Sequence, residues 1–576
     1  MTMPRPSRSA VRAATLASLL VSAAISSGQS AATPSAPPAK RTWPLTRPES
    51  TGYAETSRYD DVVTFMKAMA AASPQIHLTT YGYSYEGRAL PLAVIGAPSA
   101  GADAVLKTKK TRIFIQGNIH AGEVEGKEAL LWLLRSIAKG EREAWFKDVV
   151  LLITPIYNAD GNERVSVANR GAQLGPVGGM GTRANAQGLN LNRDAMKLET
   201  AEARSLARLL NDYDPHVDVD LHTTDGSDHG YYLTYEPGDS PNTAVGITTL
   251  LRSELLPAVT KAVKTRHNWD LFYYGGASTR GGERAWYGDL DLYKPRYTHT
   301  YFGIRNRLGI LSETYSYATF EDRIKASYWF VEEIVNFAAK NGAAIRKATE
   351  DADGESIVGQ PQMVRGKLSR SKDPVPVVLA DTREERNPYV PDRPMRRRVN
   401  GSERVETMPH YGLIEATETA VAPRAYVIEA PAPAPSSAST QPPGPPFAPP
   451  RDPTARIINA VIDRLESHGV KYFRTAADTT IKAERFRIEA STVEEREFEG
   501  HKLRTLTGAW QGASDRNLRA GSLVVPMDQP LARLAFLLLD ARSDDGLMAW
   551  NVLDPVLSQS PAPEFYPVMK TMDAVR

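Results

Sequence analysis

The sequence predicts an α/β fold: a mixed, mostly parallel twisted sheet with helices on both faces, followed by a smaller C-terminal α+β accessory domain. Three observations carry this expectation. Between residues 90 and 340, apolar runs of strand length alternate with segments of helical period. The run Val149 to Ile156 is almost wholly apolar, as in a strand buried on both faces. Beyond about residue 345 the alternation ends and prolines become frequent.

The elements follow in chain order. Arg5, Arg8 and Arg12 lead into a mostly apolar run, Ala13 to Ile25, and small polar residues follow from Ser26 to Ala32. That is the pattern of an export signal, too short to span a bilayer. Residues 1–31 are read as a signal peptide and the protein as exported, periplasmic or secreted, with no stable membrane span once the signal is cleaved. Arg-Arg is missing before the run, which disfavours a twin-arginine route, and no cysteine follows it to carry a lipid. Residues 32–50, rich in Pro, Ala and Ser, read as a linker. A helix fits 58–71, with Val62, Phe65, Met66 and Met69 on one face and Ser57 with Asp60 where a cap would sit. Gly82 to Gly87 is a turn and Leu90 to Ile95 a strand. Strands are then expected at Arg112 to Gln116, Val149 to Ile156, Val217 to Leu221 and Leu308 to Ser312. Helices are expected at Gly126 to Ile137, Ala201 to Leu210 and Phe320 to Lys340. Later come strand-like pieces at Ala425 to Glu429, Phe486 to Glu489 and Leu523 to Pro526, and helices at Thr454 to His468 and Pro530 to Leu539. The resulting division is a catalytic domain at 51–345, a connecting segment at 346–430, a Pro-rich low-complexity insert at 431–453 and a C-terminal accessory domain at 454–576.

Composition narrows the function classes. The 576 residues are 42% hydrophobic and 24% charged, as in an ordinary globular protein of two or three domains. A net charge of +2 leaves no electrostatic footprint for nucleic acid. The absence of cysteine excludes disulfides, thiolate metal sites and cysteine nucleophiles. No Gly-x-Ser-x-Gly elbow and no His-Glu-x-x-His motif occurs, and the glycine cluster 175–181 lacks the Lys-Ser/Thr of a phosphate loop.

Two of the ten histidines have a suggestive setting. His120 lies just past a predicted strand, in QGNIHAGEVEGKEA, with Glu123 three residues on. His222 closes another predicted strand, in VDVDLHTTDGS. Ligands of open α/β sheets bind beyond the carboxyl ends of strands. Two imidazoles and a carboxylate, with a fourth position left to water, make a catalytic zinc set. Asp220, two residues before His222, is a candidate to orient its imidazole.

Five motifs occur in order: HAGE at 120–123, NADG at 158–161, NLNRD at 190–194, DLHTT at 220–224 and LSETYSY at 311–317. Together with the GYSYEGRAL turn they resemble the zinc carboxypeptidases, the family of carboxypeptidase A, over about Tyr53 to Lys340. The resemblance implies one Zn2+ per chain, held by His120, Glu123 and His222. It implies Glu313 as the general base and acid, Asn192 and Arg193 as the grip on the substrate's terminal carboxylate, and Arg183 as the group polarising the carbonyl, with Arg170 as a rival. Tyr297 is favoured over Tyr301 as the tyrosine that closes over the substrate. The implied activity is zinc-dependent hydrolysis of C-terminal peptide bonds, with peptide or protein C-termini as substrates. Gly122 departs from the best-known members, which carry arginine there. The segment between Asn192 and His222 is short, the one between His222 and Glu313 long, and side-chain preference is not readable. Two alternatives stand beside this reading: an amide deacylase of the succinylglutamate desuccinylase or aspartoacylase kind, and a catalytically silent peptide-binding relative.

Overall fold

Ten strands precede residue 315: β1 (Ile76–Tyr83), β2 (Ala89–Ile95), β3 (Thr111–Gly117), β4 (Val149–Thr154), β5 (Val217–Thr223), β6 (Leu233–Pro237), β7 (Leu271–Tyr273), β8 (Gly276–Arg280), β9 (Glu283–Tyr287) and β10 (Leu308–Thr314). They belong to a computed structural model that describes residues 42–224, 226–432, 450 and 452–575. Eight of them form one sheet in the order β1-β2-β4-β3-β5-β10-β6-β7. The core, β4-β3-β5-β10, is parallel throughout. β1, β2 and β6 pair antiparallel at its flanks, and β7 runs parallel to β6. The sheet is mixed and mostly parallel at its centre, as expected.

Helices cover both faces, and the glycines show where. Gly117 pairs in register with Leu221, and a Cβ added to Gly126 would lie 2.6 Å from the Leu221 Cβ. The helix Glu125–Ala138 therefore lies on that face. Asp218 sits at odd spacing from Leu221, so it points to the opposite face, and it pairs with Gly309. A Cβ at Gly309 would collide with the His299 carbonyl of the helix Thr298–Ile304. All seven residues of β3, β5 and six of β4 are buried, which is why their sequences run apolar without alternation.

Most expected helices and strands lie within two or three residues of their places. The opening helix is Tyr59–Ala72, capped by the Asp61 carboxylate on the Arg58 N–H at 2.9 Å. Ser57 has another use: its N–H and hydroxyl donate to the buried Glu128 carboxylate at 2.7 and 2.8 Å. The linker ends earlier than expected. Arg47–Ser50 is a helical turn, and Arg135 holds Glu49 by two bonds of 2.6 and 2.7 Å. The long helix also overruns its expected end, spanning Phe320–Gly354 with a kink at Asn341. Asn-Gly reads as a stop, but Gly342 serves a close approach to Thr111 instead.

Beyond the long helix the chain is rich in strands. Pro361–Arg370 and His410–Val421 join β9 and β8 in a four-stranded sheet. A six-stranded sheet contains Ala425–Ile428, Leu523–Pro526 and Met569–Thr571, and the helix Pro453–His468 in this part of the chain packs against the helices Ala201–Tyr213 and Asp554–Leu557. Pro44–Arg576 is one compact unit; the described residues before it, Thr42 and Trp43, carry no helix or strand. Among the described residues no helix is long and apolar enough to cross a membrane. The expected signal peptide, residues 32–41 of the expected linker and most of the Pro-rich insert lie outside the described residues.

Candidate active site

After β3 the chain turns at Asn118, whose φ of +67° is a left-handed conformation that asparagine tolerates better than most residues. The Glu123 N–H then donates to the His120 carbonyl at 2.9 Å. One turn thus presents both side chains to a single point. The NADG motif supports it: Asn158 Nδ2 donates to the carbonyls of Ile119 (3.2 Å) and Arg183 (3.3 Å), and its Oδ1 accepts the Gly161 N–H at 2.9 Å.

Across the sheet, β5 carries His222 to the same point. His120 Nδ1 lies 3.0 Å from Glu123 Oε1, His222 Nδ1 lies 2.9 Å from Glu123 Oε2, and the two Nδ1 atoms are 3.2 Å apart. Ligand atoms about 2.0–2.1 Å from a tetrahedral ion stand roughly 3.3 Å from one another, so this donor set fits zinc. The outer nitrogens are fixed as well. His120 Nε2 meets Asn190 Oδ1 at 3.0 Å and His222 Nε2 lies 2.9 Å from Asp220 Oδ2. Acceptors on the outer nitrogens leave the Nδ1 lone pairs turned inward, as metal ligation requires. All three side chains are buried.

Burial and charge act on the three groups in different ways. Burial draws His120 down to about 4, with Glu123 opposing and Arg183 adding to it. Burial would also lower His222, but Asp220 and Glu123 outweigh it and hold that imidazole well above its ordinary value. Burial would raise Glu123, but His120 and Arg170 hold it well below the usual carboxylate range.

Glu313 is the register partner of His222 on the adjacent parallel strand, so both side chains leave the same face of the sheet. Two arginines flank the centre. Arg170 Nη1 reaches Glu123 Oε1 at 3.0 Å, and its other nitrogens bind Gln173 and the carbonyls of Thr223 and Thr224. Arg183 is the more exposed, at 45% against 18%, with Nη1 3.2 Å from His120 Nδ1. Arg170 also explains Gly122: a Cβ there would lie 2.9 Å from the Arg170 side chain and from the Gly181 carbonyl.

Asn192 Oδ1 accepts from the backbone and hydroxyl of Thr298 at 3.1 and 3.2 Å. Arg193 stacks on the Tyr297 ring at 3.9 Å from its centroid and donates to the Asn192 carbonyl at 2.7 Å. No ion pair to Arg193 occurs among the described residues. Burial lowers the Arg193 pKa and raises that of Tyr297 to about 12. The hydroxyl of Tyr301, the other candidate, is 2.8 Å from His468 Nδ1 in a buried contact with the C-terminal segment.

Sequence reasoning passed over Asn190, although it stands inside NLNRD. It also missed the buried Glu125, which accepts from the hydroxyls of Thr223 and Thr314, next to His222 and Glu313, and pairs with Arg323 at 3.1 Å. Two other buried histidines lie elsewhere: His216 accepts the Arg112 N–H, and His229 packs among Tyr231, Trp286 and Tyr315.

Known proteins share part of this sequence. Residues 62–224 match the family model described as zinc carboxypeptidase. The matched stretch contains the HAGE, NADG, NLNRD and DLHTT motifs. It is 25% identical over 181 residues to carboxypeptidase 2 of Trichophyton rubrum, a stretch covering 31% of this chain and 30% of that protein. It is 35% identical over 146 residues to carboxypeptidase D of Mus musculus, covering 22% of this chain and 10% of that one. The chain therefore spans under a third of the length of these relatives. A solved metallo-carboxypeptidase from Burkholderia cenocepacia overlays 50% of this chain and 71% of its own, at 18% identity and a TM-score of 0.38. Another from Pseudomonas aeruginosa overlays 51% and 71%, at 14% identity and a TM-score of 0.36.

Proposed function

We propose that the protein is a zinc-dependent carboxypeptidase that removes residues from the C-termini of peptides. The observation that carries this reading is the convergence of His120 Nδ1, His222 Nδ1 and the Glu123 carboxylate, each imidazole with an oxygen behind its outer nitrogen. Zinc held there would polarise the scissile carbonyl and bring the pKa of a water toward neutrality. Glu313, beside His222, takes the water's proton as it attacks and passes it to the leaving amine. Arg183, exposed at the edge of the centre, donates to the oxygen on which charge develops, while Arg170 is committed to Glu123 and two backbone carbonyls. Arg193, buried and stacked on Tyr297, offers a guanidinium fork to the substrate's terminal carboxylate, and the Asn192 amide lies beside it. Export of the enzyme, to the periplasm or the medium, rests on the N-terminal sequence pattern alone.

The test is mass spectrometry of peptide digests, with matched peptides carrying a free or an amidated C-terminus, each with and without a chelator. Stepwise loss from the free C-terminus alone, stopped by the chelator, is expected. Equal cleavage of amidated peptides would remove Arg193 from its role, and no cleavage of any peptide would favour the deacylase.

A further inference from the structure

The C-terminal segment reaches into this site. Phe498 and His501 close a two-residue hairpin, with backbone bonds of 2.7 and 3.0 Å between them. Its two central residues, Glu499 and Gly500, both have positive φ, +51° and +81°. Such a turn favours Asn-Gly, and glutamate in the left-handed region is disfavoured by its Cβ. The turn is fastened on both sides. His501 Nε2 lies 3.0 Å from the Glu199 carboxylate and its Nδ1 is 3.1 Å from Asn551 Oδ1. Phe498 packs between Arg296 and Trp550. Held there, Glu499 Oε2 accepts the Asn190 N–H at 3.0 Å, across 309 residues of sequence. Asn190 Oδ1 is the atom that meets His120 Nε2, and it also accepts the Asn192 N–H at 3.0 Å.

We propose that Glu499 is a positioning residue of the active site, supplied by the C-terminal domain, which sets Asn190 and through it both His120 and the Asn192–Arg193 turn. Glutamate in a left-handed turn position that asparagine would suit better points to a use for its side chain. The chain of contacts runs Glu499, Asn190, His120, so its effect is on metal affinity and on the seat of the terminal carboxylate together. The C-terminal domain is on this account part of the catalytic apparatus. The inference rests on the zinc carboxypeptidase reading above.

The experiment compares Glu499→Ala, Glu499→Asn and Glu499→Gln in the full chain. Zinc affinity is read by chelator competition, kcat and KM on a peptide with a free C-terminus, and folding by Tm. Loss of a group that orients a metal ligand typically costs 10–100-fold in affinity or activity. Glu499→Ala and Glu499→Asn are expected to weaken zinc binding and lower kcat/KM by about tenfold. Asparagine suits the turn, so Glu499→Asn should do so without any fall in Tm, which a merely structural role would not allow. Glu499→Gln, whose amide oxygen can accept the same N–H, should stay close to the parent. Unchanged zinc affinity in both the Ala and Asn variants overturns the proposal, as does an equal loss in the Gln variant. His120→Ala provides the separate control: if it keeps zinc, the metal-site reading itself falls, whereas loss of zinc there with an unaffected Glu499→Ala rejects Glu499 alone.

Discussion

Single side chains at the centre have separable duties, and two substitutions expose them. Glu313→Gln keeps size and polarity but cannot take a proton, and Glu313 is no ligand in the His120, Glu123 and His222 cluster. It should retain zinc and lose about 10²–10⁴-fold in kcat; near-parental turnover with zinc bound would remove Glu313 from the mechanism. The second concerns Glu236 on β6, the strand that pairs with β10. Burial raises its pKa to about 8, with Arg252 opposing and Asp239 and Asp289 adding. The folded pKa therefore exceeds the unfolded one, near 4.3. The stability this proton provides is full below the unfolded value and is lost as pH rises toward 8. Glu236→Gln has no such proton. The parent should lose stability relative to this variant at up to about 1.4 kcal/mol per pH unit across that window, as read by urea melts at several pH values. Parallel pH profiles would show Glu236 to be ionised in the fold.

Among the elements, β5 and the helix Glu125–Ala138 fix the distance between the two halves of the metal set. The helix begins two residues after Glu123, and Gly126 lets its backbone rest on Leu221, the residue before His222. Gly126→Ala places a Cβ 2.6 Å from the Leu221 Cβ. Overpacking of this kind typically costs about 1–3 kcal/mol, and here it also pushes His222 away from Glu123. We expect a lower Tm together with weaker zinc binding. A stable variant with parental zinc affinity would show that strand and helix can part without consequence. These elements were legible in the sequence because burial on both faces writes an unbroken apolar run at 149–153 and a helical stripe at Leu130, Leu133, Leu134 and Ile137. The convergence of His120, Glu123 and His222 was legible too, since one turn carries His120 and Glu123 and one strand end carries His222. Element ends were less legible. Ser57 looks like a helix cap but satisfies Glu128, and Asn341-Gly342 looks like a stop but lies inside the long helix. In both cases a contact distant in sequence overrides local chemistry.

At the scale of the whole molecule, the C-terminal segment is the part that local pattern could not place. Its attachment runs through pairs far apart in sequence, from 163 to 309 residues. Chief among them are Arg296 and Asp545, joined at 2.6 Å through the backbone and 2.7 Å through the side chain. Both are buried, and Trp550 Nε1 adds a third donor to the same carboxylate at 3.0 Å. Burial raises the Asp545 pKa to about 6 even with Arg296 beside it, so the ion pair carries a real desolvation cost. Two substitutions therefore differ sharply. Asp545→Ala leaves the Arg296 guanidinium with only the Asp544 carbonyl at 3.3 Å and its two aromatic neighbours, and breaking a buried pair in this way typically costs about 3–5 kcal/mol. Replacing both partners together, Arg296→Met with Asp545→Leu, removes the desolvation cost along with the attraction, so the double variant should be markedly more stable than Asp545→Ala. Arg296 directly precedes Tyr297, whose ring supports Arg193. Asp545→Ala should therefore also raise KM for a free C-terminus more than it lowers kcat. Thermal melts of the three proteins with steady-state kinetics decide the matter. A loss below about 1 kcal/mol in Asp545→Ala, in the range of a solvated surface pair, would mean that the C-terminal domain is held by its apolar contacts and that the pair is incidental.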